Sequence, residues 1–276
     1  METKASYQDT VTEREKKNKS LTFEAAAEGI VLLENGGVLP LRPGRIALFG
    51  AGAAYTIAGG SGSGEVNSRH TTNVLEGLQN RGYTVTTMKW IEAYDAVWRS
   101  GKEAFLRENR KKLYSFNAKA LAALMAAEYR YPSGAQVSAE EIEESGTDTC
   151  IYVVSRQSGE GYDRVDEAGS FRLTDVEVSN IRICAEKYRS FVIVLNTGAP
   201  VDLTPLETIE GINAVVYMNQ LGMEGGNALA AVLTGDITPS GKLAVSWPKS
   251  YEDVPFGNEF GPYNKDPEHV RYKEGI

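Results

Sequence analysis

Short, continuous hydrophobic runs alternate with amphipathic segments along most of the chain. The runs RIALFG, DTCIYVVS, FVIVLNTG and NAVVYMNQ are largely apolar. Such runs are typical of parallel strands that are buried on both faces of a sheet. Residues 71–82, 174–188 and 224–235 are predicted helices, with Thr174 as an N-cap and Gly235 as a helix end. The alternation predicts an α/β domain, a three-layer sandwich whose helices flank a mostly parallel sheet.

The N-terminal part of the chain divides into a polar segment and an amphipathic segment. Residues 1–20 are charged, and we expect them to be frayed or to lie on the surface. Residues 22–33 (TFEAAAEGIVLL) have apolar positions at helical spacing and predict a helix with Thr22 as its N-cap. An Asn-Gly-Gly sequence at 35–37 is typical of the end of such a helix.

Three segments have a less regular pattern. Residues 84–90 (TVTTMKW) alternate like a second strand, whereas residues 91–144 are charged and predict an insertion of surface helices with a break at 131–134. Residues 240–248 (SGKLAVSWP) predict a last strand that is stopped by Pro248. No periodicity follows residue 251.

Composition excludes several classes of protein. The 276 residues are 42% hydrophobic and 24% charged, a balance that permits a substantial core and excludes disorder for most of the chain. The net charge is −8, without a strong basic cluster, so we expect no nucleic-acid partner. No apolar run approaches the about 18 residues that a membrane span requires, and we expect a cytoplasmic location without membrane contact.

The chain holds few residues suited to metal or disulfide chemistry. Cys150 and Cys184 each lie in an apolar run and are predicted to be reduced thiols of the core. His70 and His269 are the only histidines, so histidine-rich zinc sites and most histidine-based triads are difficult to assemble. We therefore expect no metal and no cofactor.

Ligands of open parallel sheets bind beyond the carboxyl ends of the strands, and the loops there hold the candidate residues. The first loop, GGSGSG at residues 59–64, offers the hydroxyls of Ser61 and Ser63 and allows close approach to its backbone. It lacks the spacing of dinucleotide and phosphate fingerprints. A binding loop and a purely structural loop both remain open.

The second loop, SGEGYDR at residues 158–164, places a glutamate between two glycines after a buried strand. Glu160 suits general acid/base chemistry if burial beneath a substrate raises its pKa. The alternative is a solvated loop carboxylate. Asp163 and Arg164 can pair and shape the loop.

Two further loops have structural interpretations. In residues 196–202 (NTGAPVD), Asn196 and Pro200 are expected to shape the strand exit rather than to take part in catalysis. Glu224 lies in the first turn of a predicted helix, where a carboxylate complements the helix dipole.

Several motifs together resemble the second, α/β-sandwich domain of glycoside hydrolase family 3. They are VLLENGGVLPL, GGSGSGEV, SGEGYDR, VIVLNTGAPVDL, GMEGGNALAAVLTGDITPSGKLAVSWPKSYEDVP and a terminal RYKEGI. The resemblance runs from about Phe23 to the last residue and is specific in GDITPSGKL and the following WP. It implies a β-glucosidase-like enzyme that removes sugars from a β-linked glucoside or oligosaccharide by a retaining mechanism.

By this resemblance Glu160 is the general acid/base. Ser63 then lines the sugar pocket, and Ser61 and Tyr162 lie beside it. Family members supply the nucleophilic aspartate from a separate (β/α)8 barrel, usually in a Ser-Asp-Trp or similar motif. No such motif occurs in this chain, so we expect the isolated chain to be inactive without the barrel.

The resemblance also suggests a division of the chain. We expect a polar segment over residues 1–20, the sandwich domain over 21–250 and an extension toward a missing domain over 251–276. Met1 and the end at EGI favour a protein in which this domain comes first, followed by a fibronectin-like domain and the barrel. The alternatives are a carbohydrate-binding or scaffolding module that has lost catalysis and, with less support, a nucleotide-binding domain.

Overall fold

Six strands form one sheet in the computed structural model, which describes residues 9–61, 64–114, 129–159 and 163–254. The strand order is β1-β6-β5-β4-β2-β3. All neighbouring strands are parallel except β1 and β6, which pair antiparallel at one edge. The strands are β1 (Val31–Asn35), β2 (Arg45–Phe49), β3 (Thr84–Val85), β4 (Thr149–Arg156), β5 (Ser190–Thr197) and β6 (Ala214–Tyr217).

Helices flank the sheet and complete the predicted three-layer α/β sandwich. The first and second helices each pack against the last one, and the other three contact β2 or β4. Short 3₁₀ helices at Thr204–Thr208, Gly222–Glu224 and Tyr251–Asp253 lie in the connections. The α-helices are α1 (Glu13–Glu28), α2 (Val74–Asn80), α3 (Met88–Leu113), α4 (Ala139–Ser145), α5 (Asp175–Lys187) and α6 (Gly225–Thr234).

The central strands β4 and β5 follow from the sequence. Every residue after the first of each strand is buried, because helices cover both faces of the parallel sheet. Their register is continuous, from Thr149 opposite Ser190 to Arg156 opposite Thr197. The prediction of these two strands is confirmed.

The predicted helix ends near the core are also confirmed. Thr174 is the N-cap of α5 and forms a capping box with Glu177, because each side chain accepts a hydrogen bond from the other residue's backbone N–H. Gly235 ends α6 with a φ of 79°, a conformation that glycine adopts without a steric penalty.

The predicted helix over residues 22–33 is wrong at both ends. Helix α1 begins at Glu13, capped by Thr12, inside the segment expected to be frayed. It ends at Glu28, and the following residues form β1 instead. The apolar positions fit both structures, but the exposed edge of β6 offers a partner for backbone hydrogen bonds that a longer helix cannot use.

Two predicted strands are also wrong. Residues 84–90 contain only the short β3, because Met88 begins the long helix α3. Residues 240–248 have no strand, and Leu243 and Val245 are exposed. The insertion after residue 90 is not purely a surface element, since Ile91 and Tyr94 are buried.

Cys150 and Cys184 are buried free thiols, as predicted. Burial raises the pKa of the Cys150 thiol well above its usual range.

None of the helices in the described ranges is both long and apolar enough to span a bilayer. The predicted C-terminal extension is described only as far as residue 254.

Helices α2 and α6 cross at two glycines. A Cβ atom on Gly77 would overlap the carbonyl group of Gly226 and lie 2.8 Å from the Asn227 amide nitrogen. A Cβ on Gly226 would lie 2.6 Å from the Thr72 carbonyl oxygen. Since backbone cannot yield as a flexible side chain does, the two helices approach this closely only with glycine at both positions.

We predict that Gly77→Ala destabilises the fold. Overpacking at this contact is expected to lower the free energy of unfolding by about 1–3 kcal/mol, despite the higher helix propensity of alanine. Urea unfolding of the chain measures the change. Gly44→Ala is the control, because its Cβ meets no described atom within 4 Å. Equal stability of the two variants would contradict the prediction.

Candidate active site

The buried carboxamide of Asn196, at the carboxyl end of β5, joins three other chain segments. Its Oδ1 accepts hydrogen bonds from the Ile57 amide (2.6 Å) and the Ser155 hydroxyl (3.2 Å). Its Nδ2 donates to the carbonyls of Ile57 (3.0 Å) and Asn219 (2.7 Å). The ends of β4 and β5 and the segments that follow β2 and β6 are thereby joined at one edge of the sheet. The expectation that Asn196 shapes the strand exit is confirmed.

The glycine-serine loop contacts the loop that follows β4. Gln157 Nε2 donates to the Gly59 carbonyl at 2.9 Å. A Cβ atom on Gly159 would lie 2.8 Å from the Ser61 amide nitrogen and would collide with the Ser61 hydroxyl. The two loops therefore come into contact at Gly159 and Ser61, and the contact is possible because Gly159 has no side chain.

Gly198 extends this contact to the loop after β5. A Cβ atom there would lie 2.6 Å from the Gln220 carboxamide and 2.7 Å from Ser158 Cβ. Gln220 Nε2 in turn donates to the Ser158 carbonyl at 3.5 Å. The segment 157–159 is thus packed between its neighbours on two sides.

Arg164 connects the two ends of the loop that contains position 160. Its Nη1 donates to the Gln157 carbonyl at 2.9 Å, and its Nη2 donates to the Ser158 hydroxyl at 2.9 Å. Tyr251 Oη donates to the Arg164 carbonyl at 2.9 Å. Arg164 therefore shapes the loop through Gln157 and Ser158, and its pairing with Asp163 stays a prediction.

The end of β4 carries a buried ion pair. Arg156 donates two hydrogen bonds to Glu177, of 2.7 and 2.5 Å, and both side chains are almost fully buried. Burial opposes the charged form of Arg156, but the Glu177 carboxylate outweighs it and raises the pKa of the guanidinium. The pair anchors the strand immediately before the loop.

Of the predicted site residues, Ser61 lies at this edge and borders a cavity. Its hydroxyl is inaccessible to solvent and has no hydrogen-bond partner among the described residues. Glu160, Tyr162 and Ser63 lie outside the described residues. Their immediate neighbours Gly159 and Gly64 are both described, and Gly159 packs against Ser61.

Glu224 immediately precedes α6 instead of lying in its first turn, and its side chain makes no hydrogen bond that caps the helix, so the expected capping role is wrong. The carboxylate is buried and accepts a hydrogen bond from Asn227 Nδ2 at 2.7 Å. Lys19 Nζ of α1 lies 3.3 Å from Glu224 Oε1. Glu224 therefore connects α1 to the start of α6.

A cavity of about 610 Å³ opens beside the glycine-serine loop. One wall is the segment from Thr56 to Ser61 together with Gln157. A second wall comes from the insertion and consists of Lys102, Phe105, Tyr129 and Tyr131. The sequence pattern does not predict this wall, although the aromatic residues of α3 at positions 90, 94 and 98 share one helix face and indicate packing there.

Burial shifts the titration of these aromatic residues. It raises the pKa of Tyr131 to about 12, with smaller effects from Tyr129, Tyr55 and Glu65. Burial, followed by a hydrogen bond to Asp95, also raises the pKa of Tyr55 to about 12. These phenols therefore stay protonated at neutral pH and carry no charge into the cavity.

The chain is similar to β-glucosidases in both sequence and structure. It is 34% identical to β-glucosidase A of Butyrivibrio fibrisolvens, with 94% of this chain aligned to 32% of that protein. It is 31% identical to a β-glucosidase of Ruminococcus albus, over 88% of this chain and 24% of that protein. The chain thus spans about a third or less of the length of these relatives.

A solved structure of β-glucosidase 3B from Thermotoga neapolitana in complex with glucose matches 94% of this chain with a TM-score of 0.71 and 32% identity. The chain covers 35% of that protein. The family model for the glycosyl hydrolase family 3 C-terminal domain matches residues 30–276. These matches confirm the resemblance seen in the motifs, and the chain belongs to glycosyl hydrolase family 3, as the C-terminal domain of β-glucosidase-like enzymes.

Proposed function

We propose that this chain is the acid/base-bearing domain of a retaining β-glucosidase, with Glu160 as the general acid/base. The observation that carries the proposal is the anchoring of the loop on both sides of position 160. Residues 157–159 are packed against the glycine-serine loop, and Arg164 binds back to Gln157 and Ser158. A catalytic carboxylate requires an anchored backbone on both sides, because small displacements of a reacting group reduce the rate steeply.

The proposed chemistry needs two carboxylates. Glu160 protonates the glycosidic oxygen as the bond to the leaving group breaks, and it later removes a proton from the attacking water. The second carboxylate, the nucleophile, must lie about 5–5.5 Å from the first in a retaining enzyme. We propose that an aspartate of a (β/α)8 barrel domain supplies it, since the chain spans only 32% of a relative named as a β-glucosidase.

The substrate in this proposal is a β-linked glucoside or oligosaccharide. Ser63 and Tyr162 are proposed to line the sugar pocket beside Glu160. Ser61 borders the cavity at this edge of the sheet, and its hydroxyl packs against Gly159. We therefore assign Ser61 a part in holding the two loops together as well as in lining the pocket.

We predict that the isolated chain does not hydrolyse aryl β-glucosides, because it lacks the nucleophile. Activity is expected when the barrel domain of the same enzyme is added or fused to it. Release of nitrophenol, measured for the chain alone and for the mixture, tests this. Appreciable turnover by the purified chain alone would contradict it.

Replacing Glu160 in the complete enzyme tests the acid/base role directly. We expect Glu160→Gln to lower kcat/KM for an unactivated glucoside by about 10²- to 10⁴-fold. The loss should be much smaller for a dinitrophenyl glucoside, whose leaving group needs no protonation. Azide should restore turnover with an activated substrate and give a glucosyl azide, since it replaces water without a general base.

Glu167→Gln is the matched control for this experiment. Glu167 is an exposed carboxylate a few residues further along the chain and pairs with Arg130 at 2.9 Å. We expect its replacement to leave both substrates unaffected. Unchanged turnover in Glu160→Gln would instead favour a binding or scaffolding module.

Gly159→Ala is predicted to disturb catalysis through the contact between the loops. The new Cβ would collide with Ser61 and displace the residue next to Glu160. We expect kcat to fall by about 10- to 100-fold with little change in the melting temperature of the enzyme. Gly59→Ala, in the facing loop, is the control because its Cβ meets the Gly64 carbonyl at an ordinary 3.7 Å. Equal kcat values for the two variants would argue against loop positioning.

A further inference from the structure

We propose that the buried ion pair of Arg156 and Glu177 positions the loop at residues 157–164 by holding the chain on both sides of that loop. The inference rests on the proposed function, because the position of the loop affects catalysis only if the loop carries the acid/base. Arg156 is the last residue of β4 and directly precedes the loop, whereas Glu177 lies in the first turn of α5. We therefore assign both residues a positioning role and no direct part in the chemistry.

Arg156 connects the entrance of the loop to the turn that follows it. Its Nη1 donates to the Ser155 carbonyl at 2.8 Å, and its Nε donates to the Ser170 carbonyl at 3.3 Å. The hydroxyl of Ser170 accepts a hydrogen bond from the Val165 amide at 3.1 Å, and Val165 is the first residue after the loop. One guanidinium group therefore holds the chain before the loop and the turn after it at a fixed separation.

Glu177 fixes the orientation of this guanidinium group. Its carboxylate accepts two hydrogen bonds from Arg156. It accepts two more from Thr174, from the backbone amide at 2.8 Å and from the hydroxyl at 3.1 Å. Four hydrogen bonds use the accepting capacity of a carboxylate. Because the carboxylate is held by the start of α5, the planar guanidinium group bound to it cannot rotate freely.

An ion pair is a costly means of stabilising this part of the core. The two side chains are only 6% and 2% exposed. Removing two charges from water offsets most of their attraction, and apolar residues of similar volume are often at least as stabilising. The guanidinium group differs from an apolar side chain because it forms directional hydrogen bonds to two backbone segments at once. The geometry of the loop therefore accounts for this pair better than its stability does.

Arg45 provides a matched comparison within the same sheet. Its Nε and Nη2 donate to the carbonyls of Gly146 and Ser145 at 3.3 and 3.0 Å, so it also joins two segments through its guanidinium group. It begins β2 and therefore lies at the edge of the parallel sheet opposite to the loops. Lysine at position 45 or 156 keeps the charge but loses the planar fork. Only the replacement at position 156 is expected to affect the loop.

Amide hydrogen exchange of the complete enzyme tests the positioning role without a substrate. The turn at residues 165–171 has hydrogen-bonded amides whose exchange can be followed. We expect Arg156→Lys to speed their exchange by about 10-fold, because lysine cannot bind the carboxylate and the Ser170 carbonyl together. Arg45→Lys should leave exchange in this turn unchanged. Unchanged protection of the turn in Arg156→Lys would overturn the inference.

Two substrates with different leaving groups test the consequence for catalysis. We expect Arg156→Lys to lower kcat/KM for a β-linked glucose disaccharide by about 10-fold, because a displaced acid protonates the leaving oxygen poorly. The loss for a dinitrophenyl glucoside should be less than about 3-fold, since its leaving group needs no proton. Arg45→Lys should affect neither substrate. An equal loss on both substrates in Arg156→Lys would overturn the inference, because it would indicate a general loss of structure.

A double variant tests the inference even if Arg156→Lys does not fold. Arg156→Met combined with Glu177→Leu removes both charges and leaves no buried charge without a partner. Its control is Glu141→Leu, which removes the glutamate of the similar capping box at α4, where Glu141 accepts from the Ser138 amide at 2.7 Å. We expect the selective loss on the disaccharide in the double variant and not in the control. Equal hydrolysis of both substrates by these two variants would contradict the positioning role.

The measurements separate this inference from the proposed function. If Glu160→Gln hydrolyses the disaccharide and the dinitrophenyl glucoside like the unaltered enzyme, the proposed acid/base role is wrong. The exchange of residues 165–171 involves no substrate, so it decides independently whether the ion pair holds the turn. Faster exchange without a selective loss on the disaccharide would show that the pair holds the turn but does not position the acid/base, and the inference would then be wrong.

Discussion

The hydrogen bonds of one buried carboxamide hold the functional edge of the sheet together. Asn196 has two donor hydrogens and two acceptor positions on its side chain, and all four are used within the protein. Its partners lie after β2, at the end of β4 and after β6. No apolar side chain of similar size can replace these bonds, because the buried amide and carbonyl groups of Ile57 would lose their partners. The positions of the described loop segments and of the cavity beside them depend on this junction.

The carboxyl edge of β4 and β5 is polar although it is buried. Ser155, Arg156, Asn196 and Thr197 all lie at the ends of these strands, where the rest of each strand is apolar. Each has a hydrogen-bond partner that offsets the cost of removing it from water, and for Arg156 this partner is the buried carboxylate of Glu177. Hydrogen bonds are directional, so they restrict the positions of the loops more than apolar packing would. The change from apolar to polar residues along β4 and β5 therefore marks the boundary between the hydrophobic core and the candidate site.

How much the sequence predicts depends on whether the information is local. The strands β4 and β5 and the cap at Thr174 are predictable, because continuous burial and a capping box leave direct marks on the residues concerned. The strand β1 is not, since its apolar pattern fits a helix and only the edge of β6 selects a strand. SGKLAVSWP alternates like a strand but is not paired as one.

In the candidate site, too, local features are predictable from the sequence and tertiary contacts are not. The loops at 59–64 and 158–164 are recognisable from their glycines and their place after strands. Their contact is not, because it depends on which strands are neighbours in the sheet. The aromatic wall of the cavity comes from two parts of the insertion. The many charged residues of the insertion predict surface helices and give no sign that its aromatic residues cluster. Tyr129 and Tyr131 reach Phe105 and Trp98 of α3 only through tertiary packing.

The hydrogen bond from Tyr251 to the Arg164 carbonyl connects the loop around position 160 to a residue near the end of the described chain. The Tyr251 ring also packs edge-on against Phe171, at a centroid distance of 5.4 Å. This tyrosine lies beyond α6, the last α-helix, and beyond Pro248, where a boundary drawn from strands and α-helices alone would be placed. A fragment designed to end there would retain every strand and α-helix of the sheet. It would nevertheless lose an outer support of the loop, so the functional unit is longer than the folding unit.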